Sequence, residues 1–579
     1  MGAAIYQVIA PNRSRQGPGP KGHLRLWVLV VVALCLVLPI AASLWQALRA
    51  AFGVLPALGQ SQAGLDTWAA LFDVPGIASA LRLSLVTGFA STLLSLLLAL
   101  ALVAMLSSTA PAKFSARLLA PFLAIPHAAM AVGLAFVLAP SGWIARALAP
   151  ALGWALPPDL ATVGDPYGAA LTLGLIIKEM PFMVLVIMTA LTQIPLAQHM
   201  AAGQALGYGR AEVWVRVIVP QIWPLIRLPI YIVLAFGLSV IDMAVILGPT
   251  HPPTLSVLLT RLFTSPDLAQ LLPASAGAVL LLAMVVASFA ALYMGEKLLA
   301  RLGREWAARG RRNSGLNVAV RALAGAAGLV LILGAMGAVA LALWSMAWRW
   351  AWPQLLPSGL SLQTWANADW ITPAMTTITI ALASTAMALA FAIAWLEGED
   401  RAERQGGMTQ MMIYLPLLIP QISFLFGMNI LAVQMGIGGG VGAVIWAHVL
   451  FVFPYVMMAL TGPWRALDGR YAQTAAALGM GPWCRLALVK LPIMAAPILA
   501  AVAIGLAVSV AQYLPTLFLG AGRIATLTTE AVTLSSSSDR RVLGVVASMQ
   551  AVLPLVGYLL AFLIPAWLHK NRRDLQGAA

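Results

Sequence analysis

Three ionisable residues stand inside long apolar runs: Lys178 and Glu179 near the middle of the run 168–192, and Asp242 toward the outer end of the run 222–247. Charge at such depth is costly in hydrocarbon and is commonly kept for a solute or ion path. One ammonium and two carboxylates could bind and hand on a small charged solute, and the carboxylates favour a cation. The other reading is structural: the groups reach the membrane interface or pair with neighbours. Lys178 and Glu179 are adjacent, so they leave a helix in different directions and do not suit each other as partners. His448, Asn429 and Gln512 are read as interhelical hydrogen-bonding groups.

Bond-making chemistry has no footing. The chain lacks any Gly-Lys dipeptide, which excludes a phosphate-binding loop of the G-x4-G-K-[ST] type. It lacks H-E-x-x-H and G-x-S-x-G, and no His, Cys, Asp and Glu residues cluster at metal-ligand spacing. Cys35 and Cys484, one in an apolar run and one in a loop, give no disulfide framework. No catalytic residue, metal or bound cofactor is expected on this chain.

A second constellation occurs twice. Ala201-Ala202-Gly203-Gln204-Ala205-Leu206-Gly207 runs on to Pro220, and Gln473-Thr474-Ala475-Ala476-Ala477-Leu478-Gly479 runs on to Pro492. In each copy Gly precedes Pro by 13 positions, and the copies lie 272 positions apart. The spacing predicts a short helix, a turn at Gly207 or Gly479 where a Cβ would clash, a second short helix, and a return to the membrane at the proline. Trp214 and Leu486 hold the same place in the two copies and suit insertion into a groove on another protein.

These features must be positioned by membrane helices. The 579 residues are 61% hydrophobic and 9% charged, with a mean hydropathy of +0.91. A soluble chain could not hide that much apolar surface. Runs of about 20 residues are long enough to cross a bilayer as helices. They fall at 26–48, 80–106, 118–140, 168–192, 222–247 and 274–300, and again at 318–346, 373–396, 408–432, 438–462, 493–519 and 541–568. The expected fold is an all-α polytopic membrane protein of about 12 spans. A tail, 1–25, precedes a first repeat, 26–300, with its loop at 193–221. A basic linker, 301–317, leads to a second repeat, 318–568, with its loop at 463–492, and a tail, 569–579. With the N-terminus in the cytoplasm, 24 Lys and Arg fall on the cytoplasmic side and eight opposite. That bias places both termini and both repeated loops in the cytoplasm. It also accounts for the net charge of +15 without nucleic acid as a partner.

The halves match in order. Ile125-Pro126 and Gly133 correspond to Ile419-Pro420 and Gly427, Pro181-Phe182 to Pro454-Tyr455, and Thr254-Leu255 to Thr526-Leu527. Six spans per half is even, so the halves share one orientation and a path between them is expected. The matched Leu-Gly and Thr-Leu loops on the outer side form either a rim that receives a solute or hairpins packed for stability.

The repeated loop resembles the coupling-loop signature EAA-x3-G-x9-I-x-L-P of binding-protein-dependent ABC importer permeases. Gly207, Gly479, Pro220, Pro492 and the aliphatic residues before each proline fit the pattern. The opening Glu does not: Ala201 and Gln473 stand there, and Gly203 and Thr474 stand at Ala positions. The chain looks most like the fused permeases of the ferric-iron and thiamine importers. The resemblance implies two parallel six-helix repeats, each of the ABC type I importer permease (MetI-like) fold, in a bacterial inner membrane. It implies two copies of a cytoplasmic ATP-binding subunit, which carry the ATP and Mg, and an extracytoplasmic solute-binding protein. It assigns ATPase docking to Ala201, Ala202, Leu206, Gly207, Trp214 and Pro220, and to Gln473, Ala475, Leu478, Gly479, Leu486 and Pro492. The rival is a twelve-helix secondary transporter of the facilitator type, which would transport without an ATPase.

Overall fold

The structure is a computed structural model and describes residues 23–56, 59–107, 119, 121–310, 312, 315–403, 413–537 and 539–568. The two expected tails, apart from 23–25, and nearly all of the connection 107–117 lie outside them. Among the described residues the chain is helical apart from one antiparallel pair, Ala347–Arg349 with Gly359–Leu360.

By length and composition, ten of the described helices can cross a membrane. An eleventh is obtained if Pro482–Ile493 and Ala495–Val510, bent by 78°, form one span. At the expected ninth position Gln421–Gln434 has 14 residues, about 21 Å at 1.5 Å per residue, short of a full crossing.

Four expected spans are broken, each for a local reason. Pro126 and Pro420 begin helices His127–Leu138 and Gln421–Gln434, each preceded by a break that proline requires of its predecessor. The run expected at 222–247 splits at Val240, which is extended (ψ 141°), into Val219–Ser239 and Asp242–Leu247. The run expected at 493–519 likewise splits into Ala495–Val510 and Leu514–Leu519.

The first helix of each half packs on the other half. Leu24–Ala51 lies against Ile371–Ala402 and Gln421–Gln434, while Leu316–Met346 lies against Ile77–Leu106 and His127–Leu138. The crossings are backbone to backbone. A Cβ on Gly133 would strike the Gly337 carbonyl, and a Cβ on Gly427 would strike the Ser43 carbonyl. Such small-residue contacts let helices approach closely where no hydrophobic force drives them together.

The matched Thr-Leu loops are packed helices. Leu255–Phe263 and Leu527–Leu534 are each tied to the long second helix of their own half, Ile77–Leu106 and Ile371–Ala402. The Leu255 amide donates to Ser84 Oγ and the Leu527 amide to Thr377 Oγ1, both at 2.9 Å. Phe263 stacks on Phe426 of the other half with ring centroids 4.6 Å apart. On the long connection 140–166, buried Arg146 donates to the carbonyls of Ala351 (2.7 Å), Gln354 (2.8 Å) and Trp350 (3.3 Å) and so fastens the short sheet of the other half.

Candidate functional site

The two loops fold alike. Helix Leu196–Ala205 ends at Gly207 (φ 81°) and helix Gly469–Ala477 at Gly479 (φ 82°). Both glycines are left-handed, and the hydrogen bonds around them match. Gly207 and Tyr208 donate to Gln204 O and Gly203 O; Gly479 and Met480 donate to Ala476 O and Ala475 O. This is the closing pattern that a C-terminal glycine permits. A one-turn helix follows in each copy, Arg210–Val213 or Pro482–Arg485, then a π-helical turn, Trp214–Ile218 or Leu486–Lys490. Pro220 and Pro492 stand two residues beyond those turns, on exposed positions.

The docking residues divide by exposure. Leu206 is 61% exposed and Leu478 78%; Ala201, Ala202 and Gln473 are also exposed. Ala475 is buried where the two short helices meet, as is its counterpart Gly203, which has no room for a Cβ beside Val213. Trp214 and Leu486 do not face outward. They are 2% and 8% exposed, packed into the chain's own apolar clusters, each at the first position of its π turn. They anchor the loops; the exposed leucines, one position before each glycine, are large apolar groups a partner could reach in both copies, and the second loop also exposes Tyr471, Trp483 and Leu488.

Each loop is held differently. The linker clasps the first. Arg216 lies over the Trp306 ring at 3.9 Å and the Tyr208 ring at 5.0 Å, and donates to Ala307 O at 3.1 Å. The Ala211 amide donates to Asn317 Oδ1 at 3.0 Å. Buried charge holds the second. Lys490 Nζ lies 2.7 Å from both Glu397 and Asp400, and Arg401 lies 2.8 Å from Glu397. Trp464 donates to Asp400, Arg465 contacts Glu399, and Arg401 covers the Trp483 ring at 4.3 Å. The matching places in the first half are Ala104 for Glu397 and Ile218 for Lys490.

The intramembrane ionisable groups converge on the broken third helix. Lys178 Nζ donates to Phe122 O (2.7 Å) and Ile125 O (2.6 Å), carbonyls left open by the break before Pro126. Glu179 Oε1 lies 3.3 Å from His127 Nε2. Asp242 opens the short helix Asp242–Leu247 and accepts from the Met243 amide at 2.9 Å. It stands within electrostatic range of His127 and Lys178. Two tyrosines of the other half complete the surroundings, Tyr455 near Glu179 and Tyr513 near Asp242. Lys178 and Glu179 thus find partners on a neighbouring helix, not on each other. The second half has no counterpart: Gln421, Phe451, Val452 and Leu514 fill the equivalent positions. Among the described residues no three His, Cys, Asp or Glu could hold a metal ion.

The hydrogen-bonding assignment describes His448, whose ring nitrogens meet Ser509 Oγ (2.8 Å) and Thr516 Oγ1 (3.0 Å). Asn429 Oδ1 is buried without a partner. Sequence reasoning missed His127, and with it the convergence. The signal was its place directly after the repeated Ile-Pro pair.

No family model matches the chain. It is 30% identical over 557 residues to the inner membrane ABC transporter permease protein YnjC of Escherichia coli (strain K12), covering 95% of this chain and 98% of that protein. Identity that extends along nearly the whole of both chains, on a fold of membrane-length helices, identifies a multi-pass inner-membrane protein of the ABC transporter permease family.

Proposed function

We propose that the chain is the fused permease subunit of an ABC importer, twelve spans in two parallel six-helix repeats with both termini cytoplasmic. One ATP-binding subunit docks on each loop, at Leu206 and Leu478 with Ala201, Ala202 and Gln473 beside them. ATP and Mg belong to those subunits, and an extracytoplasmic binding protein delivers the solute. Closure of the ATPases pushes the loops, and the anchors Trp214 and Leu486 pass the motion into the helix bundles. The exchange requires the ATPases to bind one conformation better than the other.

The observation that carries this reading is the pair of matching loops, each a helix closed by a left-handed glycine with an exposed leucine before it. The support lies in the repetition: the same backbone turn and the same exposed leucine recur in both loops, 272 positions apart. The solute path runs between the halves past Lys178, Glu179 and Asp242. With Lys178 engaged by helix carbonyls, the two carboxylates and the two tyrosines favour a cationic solute. Ferric iron and thiamine, the solutes of the fused permeases the sequence resembles, are the first to try.

Co-purification tests the proposal. The chain, expressed with the ATP-binding subunit of its own cell, retains that subunit, and Leu206→Glu with Leu478→Glu releases it. Solute uptake by the chain alone, with no ATPase attached, would establish the facilitator alternative instead.

A further inference from the structure

Between the end of Ile77–Leu106, the first loop and the start of Leu316–Met346 lies a cavity of about 350 Å³. Its walls include Ala104, Arg210, Trp214, Asn317, Val320 and Arg321. Two arginines therefore border one space. Two buried donors there lack any hydrogen-bond partner, Trp214 Nε1 and Arg210 Nε, and Trp214 is only 2% exposed. Arg210 otherwise reaches Ser107 Oγ at 3.3 Å, and Arg321 Nε reaches Asn317 O at 3.1 Å. Asn317 Oδ1 is taken by the Ala211 amide, which leaves its NH2 as a further donor. The neighbouring carboxylate, Glu212, is not among the wall residues and accepts from the Gly209 amide at 2.9 Å.

The wall is rich in donors and cations and short of acceptors. Buried donors left unpaired are unfavourable, and a phosphate offers several strong acceptors to a forked guanidinium. The cavity also sits where two helices of membrane-crossing length end, with Ala104 and Val320 as apolar wall, and the ends of such helices are where headgroups would meet them. We propose that it binds a phosphate group, that of an acidic phospholipid in the leaflet on the loop side. A bound headgroup would bridge the first loop, the linker and the neighbouring span. The second half lacks the site, with Glu397, Pro482 and Leu486 at the matching positions of Ala104, Arg210 and Trp214.

The test is thermal unfolding of the full-length chain in detergent with added phosphatidylglycerol, phosphatidylcholine or inorganic phosphate. Phosphatidylglycerol raises the midpoint by about 3 °C or more, the scale expected of a ligand well above its dissociation constant. Phosphatidylcholine does not. Arg321→Gln, at an exposed position, reduces the shift, and Trp214→Phe, which removes only the indole N–H, reduces it as well. Arg210→Gln with Arg321→Gln abolishes it. Equal shifts in wild type and in Arg321→Gln, or an equal effect of phosphatidylcholine, overturn the site. A full shift from millimolar inorganic phosphate overturns the lipid as its source.

Discussion

Gly133 meets Gly337 backbone to backbone, and Gly427 has the same relation to Ser43 in the other half. Each contact joins a helix of one half to the first helix of the opposite half. A side chain at either glycine must push the helices apart. Overpacking of this kind costs about 1–3 kcal/mol. Gly427→Leu is therefore expected to lower the unfolding midpoint in detergent, and Ser43→Ala, which leaves the carbonyl contact in place, to change it little. An unchanged midpoint for Gly427→Leu would show that the crossing has slack.

Gly207 and Gly479 separate strain from space. A Cβ at Gly479 would meet nothing within 4 Å, while one at Gly207 would lie 3.6 Å from Arg312 Cδ. Only the left-handed backbone penalises substitution, by about 1–2 kcal/mol, with β-branched residues worst and Asn mildest. Gly479→Asn should keep transport near wild type, and Gly479→Val should abolish it while the protein stays in the membrane. Full solute uptake by a Gly207→Val, Gly479→Val double variant would refute the role of the turn.

Lys490 is the hub of the charged network under the second loop. Removing it leaves Glu397 and Asp400 without their shared cation, and a broken buried pair destabilises by about 3–5 kcal/mol. Lys490→Met should thus lower stability sharply. Replacing Glu397 by Gln and Asp400 by Asn in that background should recover most of the loss, since an apolar or neutral set does not need the cation. A double-mutant cycle on the midpoints measures the coupling.

Acid should loosen the second loop at a defined point. Asp468 caps helix Gly469–Ala477, and the side chain and amide of Arg470 hold its carboxyl below the usual carboxylate range. A depressed folded-state pKa means the contribution is present above the unfolded value of about 3.9 and lost as pH falls through the folded value. Hydrogen exchange in residues 469–477 should accelerate below about pH 4, and Asp468→Asn should remove that pH dependence while keeping a cap.

Asp242 tests the path. Asp242→Asn keeps the size and the backbone bond to Met243 but removes the charge. Uptake of a cationic solute should fall about tenfold, the scale of one lost charge contact. Leu514→Asn, at the matching place in the other half, should leave the affinity for solute unchanged. Equal losses in the two variants would argue against a one-sided path.

What the sequence made legible was whatever repeats or needs a special backbone. The shared glycines at 133 and 427, the Thr-Leu pairs and the two loop glycines all mark positions where both halves do the same thing. The burial of Trp214 was not legible, because spacing does not tell which side of a short loop helix meets the chain's own apolar cluster. The charged network escaped notice because Lys490 and Glu397 lie 93 positions apart. The breaks at Val240 and before Leu514 escaped for another reason. Apolar helices in a membrane protein are apolar on most faces, so periodicity does not tell lipid from protein or one helix from two. Ten of the twelve expected spans have a membrane-length helix among the described residues, and the interruptions of the runs went unforeseen.

The exchange of first helices gives the joined chain a particular meaning. A cut between 308 and 316 would leave two fragments that still clasp each other, since each holds a helix of its neighbour in its grip. The linker is not what keeps the fold together. Its covalent role is one of inventory: every molecule carries one loop clasped through aromatic rings and one held by buried charge. Unjoined halves would be free to pair like with like, and that mixture is ruled out by the single chain.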